Sequence, residues 1–165
     1  MSEAVVDSTV LIYLSKIGKL QLLKEEYDSV LIPEEVRREV FGEGKEDDRD
    51  DAVEVEKMIG ELIEVEKTEI EREIEAYGLE KGENAVLSLA RSKEIDKVLI
   101  DESAARKLDL KPRGTLLFLL SKTKRGQTDL DGFLKMMEEL SDAGFHISEK
   151  IYMKAVREAK KMAEE

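Results

Sequence analysis

Short apolar runs alternate with helical patterns along this chain. Ala4–Val6, Ser29–Ile32 and Lys97–Ile100 are too short and too apolar to be surface helices and read as buried strands. Glu61–Val65 mixes apolar and acidic residues and holds two β-branched ones, so it reads as an edge strand. After the first strand, Val10, Leu11, Leu14 and Ile17 recur on one face of a helix over Thr9–Ile17, and Gly18 follows its end. Further helices are predicted over Leu20–Glu25, over Pro33–Val40 with the proline at the first position, and over Ala52–Met58. The pattern continues with a very polar helix over Glu69–Tyr77, then Glu83–Ser92 introduced by Gly82, then Ser103–Leu108. Arg113–Thr115 reads as a turn or short strand, and Leu116–Lys122 as a buried helix. Asp129–Asp142 and Glu149–Met162 are predicted as closing helices, punctuated by Gly144. The charged run Glu43–Asp51 is predicted to be an exposed loop. Strands alternating with helices predict a three-layer α/β/α domain on a central, mostly parallel sheet, with additional C-terminal helices. No repeat or long linker divides the 165 residues, so a single domain is expected, with its core over about 1–125 and a helical extension over about 128–165.

Composition narrows the chemistry. The chain carries 27 basic and 39 acidic residues, a formal net charge of −12. With 41% hydrophobic residues in periodic blocks it is a folded, ion-pair-rich chain of a kind common in thermophiles, not a disordered one. The acidic balance argues against binding nucleic acid by bulk charge. It leaves open a nuclease in which metal ions supply the local positive field. There are no cysteines, which removes disulfides, zinc-thiolate sites and cysteine nucleophiles. A single histidine, His146, gives little basis for histidine catalysis. No apolar stretch approaches the ~20 residues of a membrane span, and the N-terminus lacks a signal-peptide shape. A cytoplasmic protein is expected.

Two acids stand out by position. Asp7 closes Ala4-Val5-Val6, and Asp101 closes Val98-Leu99-Ile100. In open α/β sheets, ligand sites lie at the carboxyl ends of strands. Two carboxylates delivered there would repel each other unless a cation sits between them, which suggests a Mg²⁺ or Mn²⁺ site. Each aspartate could equally cap the helix that follows it. Two glutamates join them. Glu39 lies one turn beyond Glu35 on the Pro33–Val40 helix, so either could point at the strand ends. Glu83 sits in the first turn of its helix, where the helix dipole favours a carboxylate. Apolar Val86 and Ala90, three and seven residues on, would turn it towards the sheet.

The residues as a set resemble the PIN-domain nucleases. The resemblance runs through Val5-Val6-Asp7-Ser8-Thr9, Leu31–Val40, Lys81–Ala90, Val98–Arg106 and Arg113-Gly114-Thr115-Leu116. It is nearest to a small prokaryotic branch in which a Gly-Glu pair opens the third acidic helix and a Gly-Thr follows the last acid. The segment Ala143–Ser148 also resembles that branch. The resemblance implies a Mg²⁺- or Mn²⁺-dependent ribonuclease, often the toxin of a toxin–antitoxin pair, with a small antitoxin protein as partner and a homodimeric state. It places Asp7, Glu39, Glu83 and Asp101 as the four family acids, with Asp7, Glu83 and Asp101 as metal ligands. Ser8 or Thr9 matches the hydroxyl that helps hold the site. Glu102 is an auxiliary candidate, standing where a second aspartate is common.

The chemistry so implied is phosphodiester hydrolysis, in which carboxylate-bound ions offset phosphate charge. Arg106, Lys107 and Arg113, with Lys111, are the nearest basic candidates for phosphate contact. Lys122, Lys124 and Arg125 form another basic cluster. Only 5% of residues are aromatic, so no base-stacking platform stands out. Asp47–Asp51 lacks the calcium-loop spacing, and Gly42-Glu43-Gly44-Lys45 lacks the phosphate-loop spacing. Met136, Met137 and Leu116–Leu120 are expected in the core. The rival from another class is a catalytically inactive PIN-like module that binds RNA or a partner protein.

Overall fold

In the computed structural model, which describes residues 2–42, 50–100 and 114–164, the first strand β1 (Glu3–Val6) is central. Its Ala4, Val5 and Val6 are fully buried, which is why the strand shows no polar alternation. β1 pairs in parallel with β2 (Ser29–Pro33) on one side and β4 (Val98–Leu99) on the other. β3 (Ile63–Glu66) pairs in parallel with β2 and closes one edge. The order is β3-β2-β1-β4. The chain therefore moves from β1 to β2 to β3 on one side and crosses to the other for β4. The reversal lies between β1 and β4, the place where open α/β sheets leave a crevice for ligands.

Nine helices are present among the described residues. α1 (Ser8–Lys16) follows β1, then α2 (Gln21–Glu26), α3 (Glu34–Phe41) and α4 (Asp50–Met58). α5 (Arg72–Glu75) and α6 (Lys81–Ser92) precede β4. α7 (Thr115–Lys124), α8 (Leu130–Asp142) and α9 (Glu149–Ala163) close the chain. α6 packs on β1, β2 and α3, while α1 packs on α3, α4 and α7. The result is a three-layer α/β/α fold. The core runs through Leu11, Leu14, Leu23, Ile32, Ile63, Leu87 and Leu99, each buried side chain stabilising by roughly 1.5–3 kcal/mol. α7, α8 and α9 pack on one another. The Tyr13 ring of α1 meets Phe145 edge-on at 4.9 Å and its hydroxyl donates to Gly144 O at 3.4 Å, tying α1 to the α8–α9 turn. Among the described residues no helix is long and apolar enough to cross a membrane.

Several boundaries differ from the expectation, each for a local reason. Pro33 ends β2, paired with Glu66, and its extended backbone (φ −74°, ψ 161°) makes it the cap of α3 instead of its first helical residue. α6 starts at Lys81, before Gly82, because Glu80 and Glu83 form a reciprocal capping box there. The acids and bases of Glu69–Tyr77 support only the four residues of α5, anchored by buried Ile74. The edge strand begins at Ile63, two residues later than the sequence suggested, because Met58 O still accepts the N–H groups of Glu61 and Leu62. Leu117, on a helix expected to be buried, is 46% exposed. Of the predicted Glu43–Asp51 loop, 43–49 lies outside the described residues, and Asp50 already begins α4.

Lys122 departs most from expectation. Read as one of a basic cluster, it is instead completely buried, with its ammonium 2.6 Å from Glu26 Oε2. Arg125 meets the same carboxylate at 2.5 Å. Phe118 lies under the ammonium at 5.2 Å and stacks on Tyr27 at 6.5 Å. This cation is committed to holding α7 against α2 and does not offer itself to a phosphate.

Candidate active site

Asp7 leaves β1 at the reversal point of the sheet. Its backbone N–H donates to Leu99 O of β4 at 2.9 Å, so the residue is anchored between the two strands flanking the crevice. It is only 4% exposed. It is also the N-cap of α1, because its Oδ1 accepts the Ser8 N–H at 2.9 Å. The capping and functional readings are therefore not exclusive, because a carboxylate that caps a helix keeps acceptor capacity for a cation.

Ser8 joins a second acid to the first. Its hydroxyl donates to Glu39 Oε2 at 2.7 Å, a length typical of a charge-assisted hydrogen bond. One residue thus holds Asp7 through its N–H and Glu39 through its Oγ–H, across 31 positions of sequence. Of the two hydroxyls offered by the sequence, Ser8 is the one the structure places on Glu39. Of Glu35 and Glu39, Glu39 is the one brought to Ser8.

Gly82 completes this arrangement, and the sequence reading passed over it as a mere helix opener. A Cβ added at Gly82 would lie 2.8 Å from Glu39 Cδ and closer still to its Oε1. Only a glycine leaves the Glu39 carboxylate room against the first turn of α6. The signal was present in principle, since glycine inside a helix costs up to about 1 kcal/mol against alanine and so marks a close approach. Glu83 lies next to it on α6, half-buried, and its Oε1 accepts the Glu80 N–H at 3.2 Å. The described bond of Glu83 is thus to its own helix terminus. Asp7 and Glu83 stand at the N-termini of α1 and α6, and Glu39 lies against the latter, where helix dipoles offset the mutual repulsion of carboxylates.

Asp101 follows Ile100 directly, but it, Glu102, Arg106, Lys107, Lys111 and Arg113 lie outside the described residues. Among the described residues no three histidine, cysteine or acidic side chains stand close enough together to hold a metal ion. Asp7 and Glu39 are hard oxygen donors, joined by one serine and packed where glycine makes room. That donor class fits Mg²⁺ or Mn²⁺ and not a soft metal.

A family model described as a PIN domain matches residues 3–161. The chain belongs to the PIN-domain family. No curated protein and no solved structure matches it. The PIN fold is in general a nuclease fold, so the sheet reversal with its acids lies in a hydrolase framework.

Proposed function

We propose that this PIN-domain protein is a divalent-metal-dependent ribonuclease acting at the carboxyl end of β1 and β4. The observation that carries the reading is the joining of Asp7 and Glu39, from separate elements, through Ser8 at the point where strand order reverses. Asp7, Glu83 and Asp101 are the residues proposed to hold the ion. A bound Mg²⁺ or Mn²⁺ would supply Lewis-acid charge at a phosphodiester. Ser8 fixes the direction of the Glu39 carboxylate, and Gly82 lets it sit against α6. Glu39 is proposed to accept the proton of the attacking water as the new P–O bond forms and the leaving oxygen departs. Arg106, Lys107 and Arg113 follow Asp101 in sequence and are proposed phosphate contacts.

Calorimetric titration of wild type and Asp7→Asn with Mn²⁺, alongside cleavage of a single-stranded RNA by the same samples, tests this. Asparagine still caps α1, so the variant should stay folded. Mn²⁺ binding lost in Asp7→Asn, with metal-dependent cleavage falling at least about 10³-fold, supports the assignment. Binding without cleavage in the wild type would make the protein a metal-binding module without this activity. No binding at all would make it a PIN-shaped interaction module.

A further inference from the structure

α8 and α9 leave a groove of about 680 Å³ between them, whose lining includes none of Asp7, Glu39 and Glu83. Along α8 its wall is Asp131, Leu134, Lys135, Glu138, Ser141 and Asp142. These recur every three or four residues and so form one face of the helix. From Asp131 to Asp142 that face is about 16 Å long, three helical turns. Opposite stand Ile147, Glu149 and Tyr152, with Met137 beneath.

Two properties coincide there. Leu134, Ile147 and Tyr152 give the groove an apolar surface over buried Met137, and Tyr152 is 43% exposed. Its neighbours Ile151 and Met153 are also exposed, so large apolar side chains crowd the first two turns of α9 at the surface. Asp131, Glu138, Asp142 and Glu149 border this surface, against the single base Lys135. None of the four carboxylates is in an ion pair among the described residues.

We propose that the α8–α9 groove docks a positively charged amphipathic helix of a partner protein. The three- and four-residue spacing of the wall matches the side-chain rows of a helix laid along it. An apolar stripe on that helix would cover Leu134, Ile147 and Tyr152, with lysine or arginine on its flanks meeting the four carboxylates. Nucleic acid is a poor occupant, because carboxylates repel phosphate. A two-fold dimer about this face is also disfavoured, since an isologous contact would set the acidic border against its own copy.

The probe is a fluorescein-labelled synthetic peptide of three heptads, with leucine at the a and d positions and lysine flanking them. A scrambled peptide of the same composition is the control. Fluorescence anisotropy with the full chain should give a dissociation constant in the micromolar range for the patterned peptide and at least about tenfold weaker binding for the scrambled one. Glu138→Lys with Asp142→Lys should weaken the patterned peptide at least about tenfold, and a glutamate-flanked version should prefer this variant. An unchanged Tm would show the double variant to be folded. Equal binding of patterned and scrambled peptides, or wild-type binding by the double variant, would overturn the proposal. So would self-association of the wild type in sedimentation that the double variant loses, because the groove would then serve a second copy. No step of this test depends on RNA cleavage or on metal.

Discussion

Glu26 and Glu39 are both gripped by residues far away in sequence, and they are gripped differently. Glu26 is buried and meets two cations, Lys122 and Arg125. Glu39 stands on the outer part of α3 and meets a hydroxyl, Ser8 Oγ, and the bare backbone of Gly82. A cation cancels the charge of a carboxylate and leaves it structural. A hydroxyl orients a carboxylate without cancelling its charge, and a glycine lets it stay where a side chain would displace it. By the bonds described, the contrast sets an acid paired with cations that hold two helices together beside one seated by a serine and a glycine, which is the acid proposed for chemistry.

The largest test of that contrast falls on the structural side. Glu26→Gln removes the charge opposite a fully buried ammonium. Unpairing one partner of a buried ion pair costs about 3–5 kcal/mol. The urea midpoint should fall accordingly with the slope unchanged, while metal binding per folded molecule stays as in the wild type. Glu26→Leu combined with Lys122→Met should be milder than Glu26→Gln alone, because no buried charge is left behind. A loss below about 1 kcal/mol would put this pair among ordinary surface ion pairs and erase the distinction.

How legible each acid was follows from the range of its contacts. Asp7 was readable because its signals are local: an apolar run before it, a helix after it, and a strand end between. The parallel sheet was readable for the same reason, since buried strands carry continuous apolar runs. Lys122 was misread because its partner is 96 residues away, and nothing near it distinguishes a buried lysine from a solvated one. Gly82 was undervalued because the atoms that require it belong to Glu39, 43 residues earlier by the numbering. The direction of Glu83 was argued from its apolar i+3 and i+7 neighbours, and the structure adds a bond that pattern did not show, from the Glu80 N–H to its Oε1. Local pattern thus fixes which element a residue ends or begins. Pairings over long sequence distances decide what its side chain does.

A smaller test sharpens the other side of the comparison. Gly82→Ala places a methyl group where the Glu39 carboxylate now lies. The obstructed group is the far end of a side chain, so it can swing aside, and alanine is the better helix former. Stability should stay within about 1 kcal/mol of the wild type, or rise. Cleavage should nevertheless fall about 10- to 100-fold, because a displacement near 1 Å is enough to spoil a positioned catalytic group. Adding Glu39→Asp, which is one methylene shorter, should make the two changes less than additive. Wild-type cleavage by Gly82→Ala would mean that the seat of Glu39 has no bearing on activity.

The smallest effect belongs to an exposed pair that lies between these extremes. Lys24 and Glu61 meet at 2.5 Å on the surface. The hydrogen bond and charge of Lys24 hold the Glu61 carboxyl below its ordinary range. A carboxyl whose folded-state pKa is depressed adds stability above its unfolded pKa, near 4.3, and loses it as pH falls through the lower folded value. Lys24→Met should therefore lower stability slightly above about pH 4.3, and the two proteins should converge as pH falls below that value, so the acid limb of the variant is flatter. High salt should remove even that difference, because both side chains are solvated and screened. Urea midpoints of the two proteins at pH 3.5 and pH 7, at low and high salt, decide the matter. A difference that survives high salt would mean the pair is shielded from solvent as Glu26 is, and that a cation partner alone does not mark a carboxylate as buried structure.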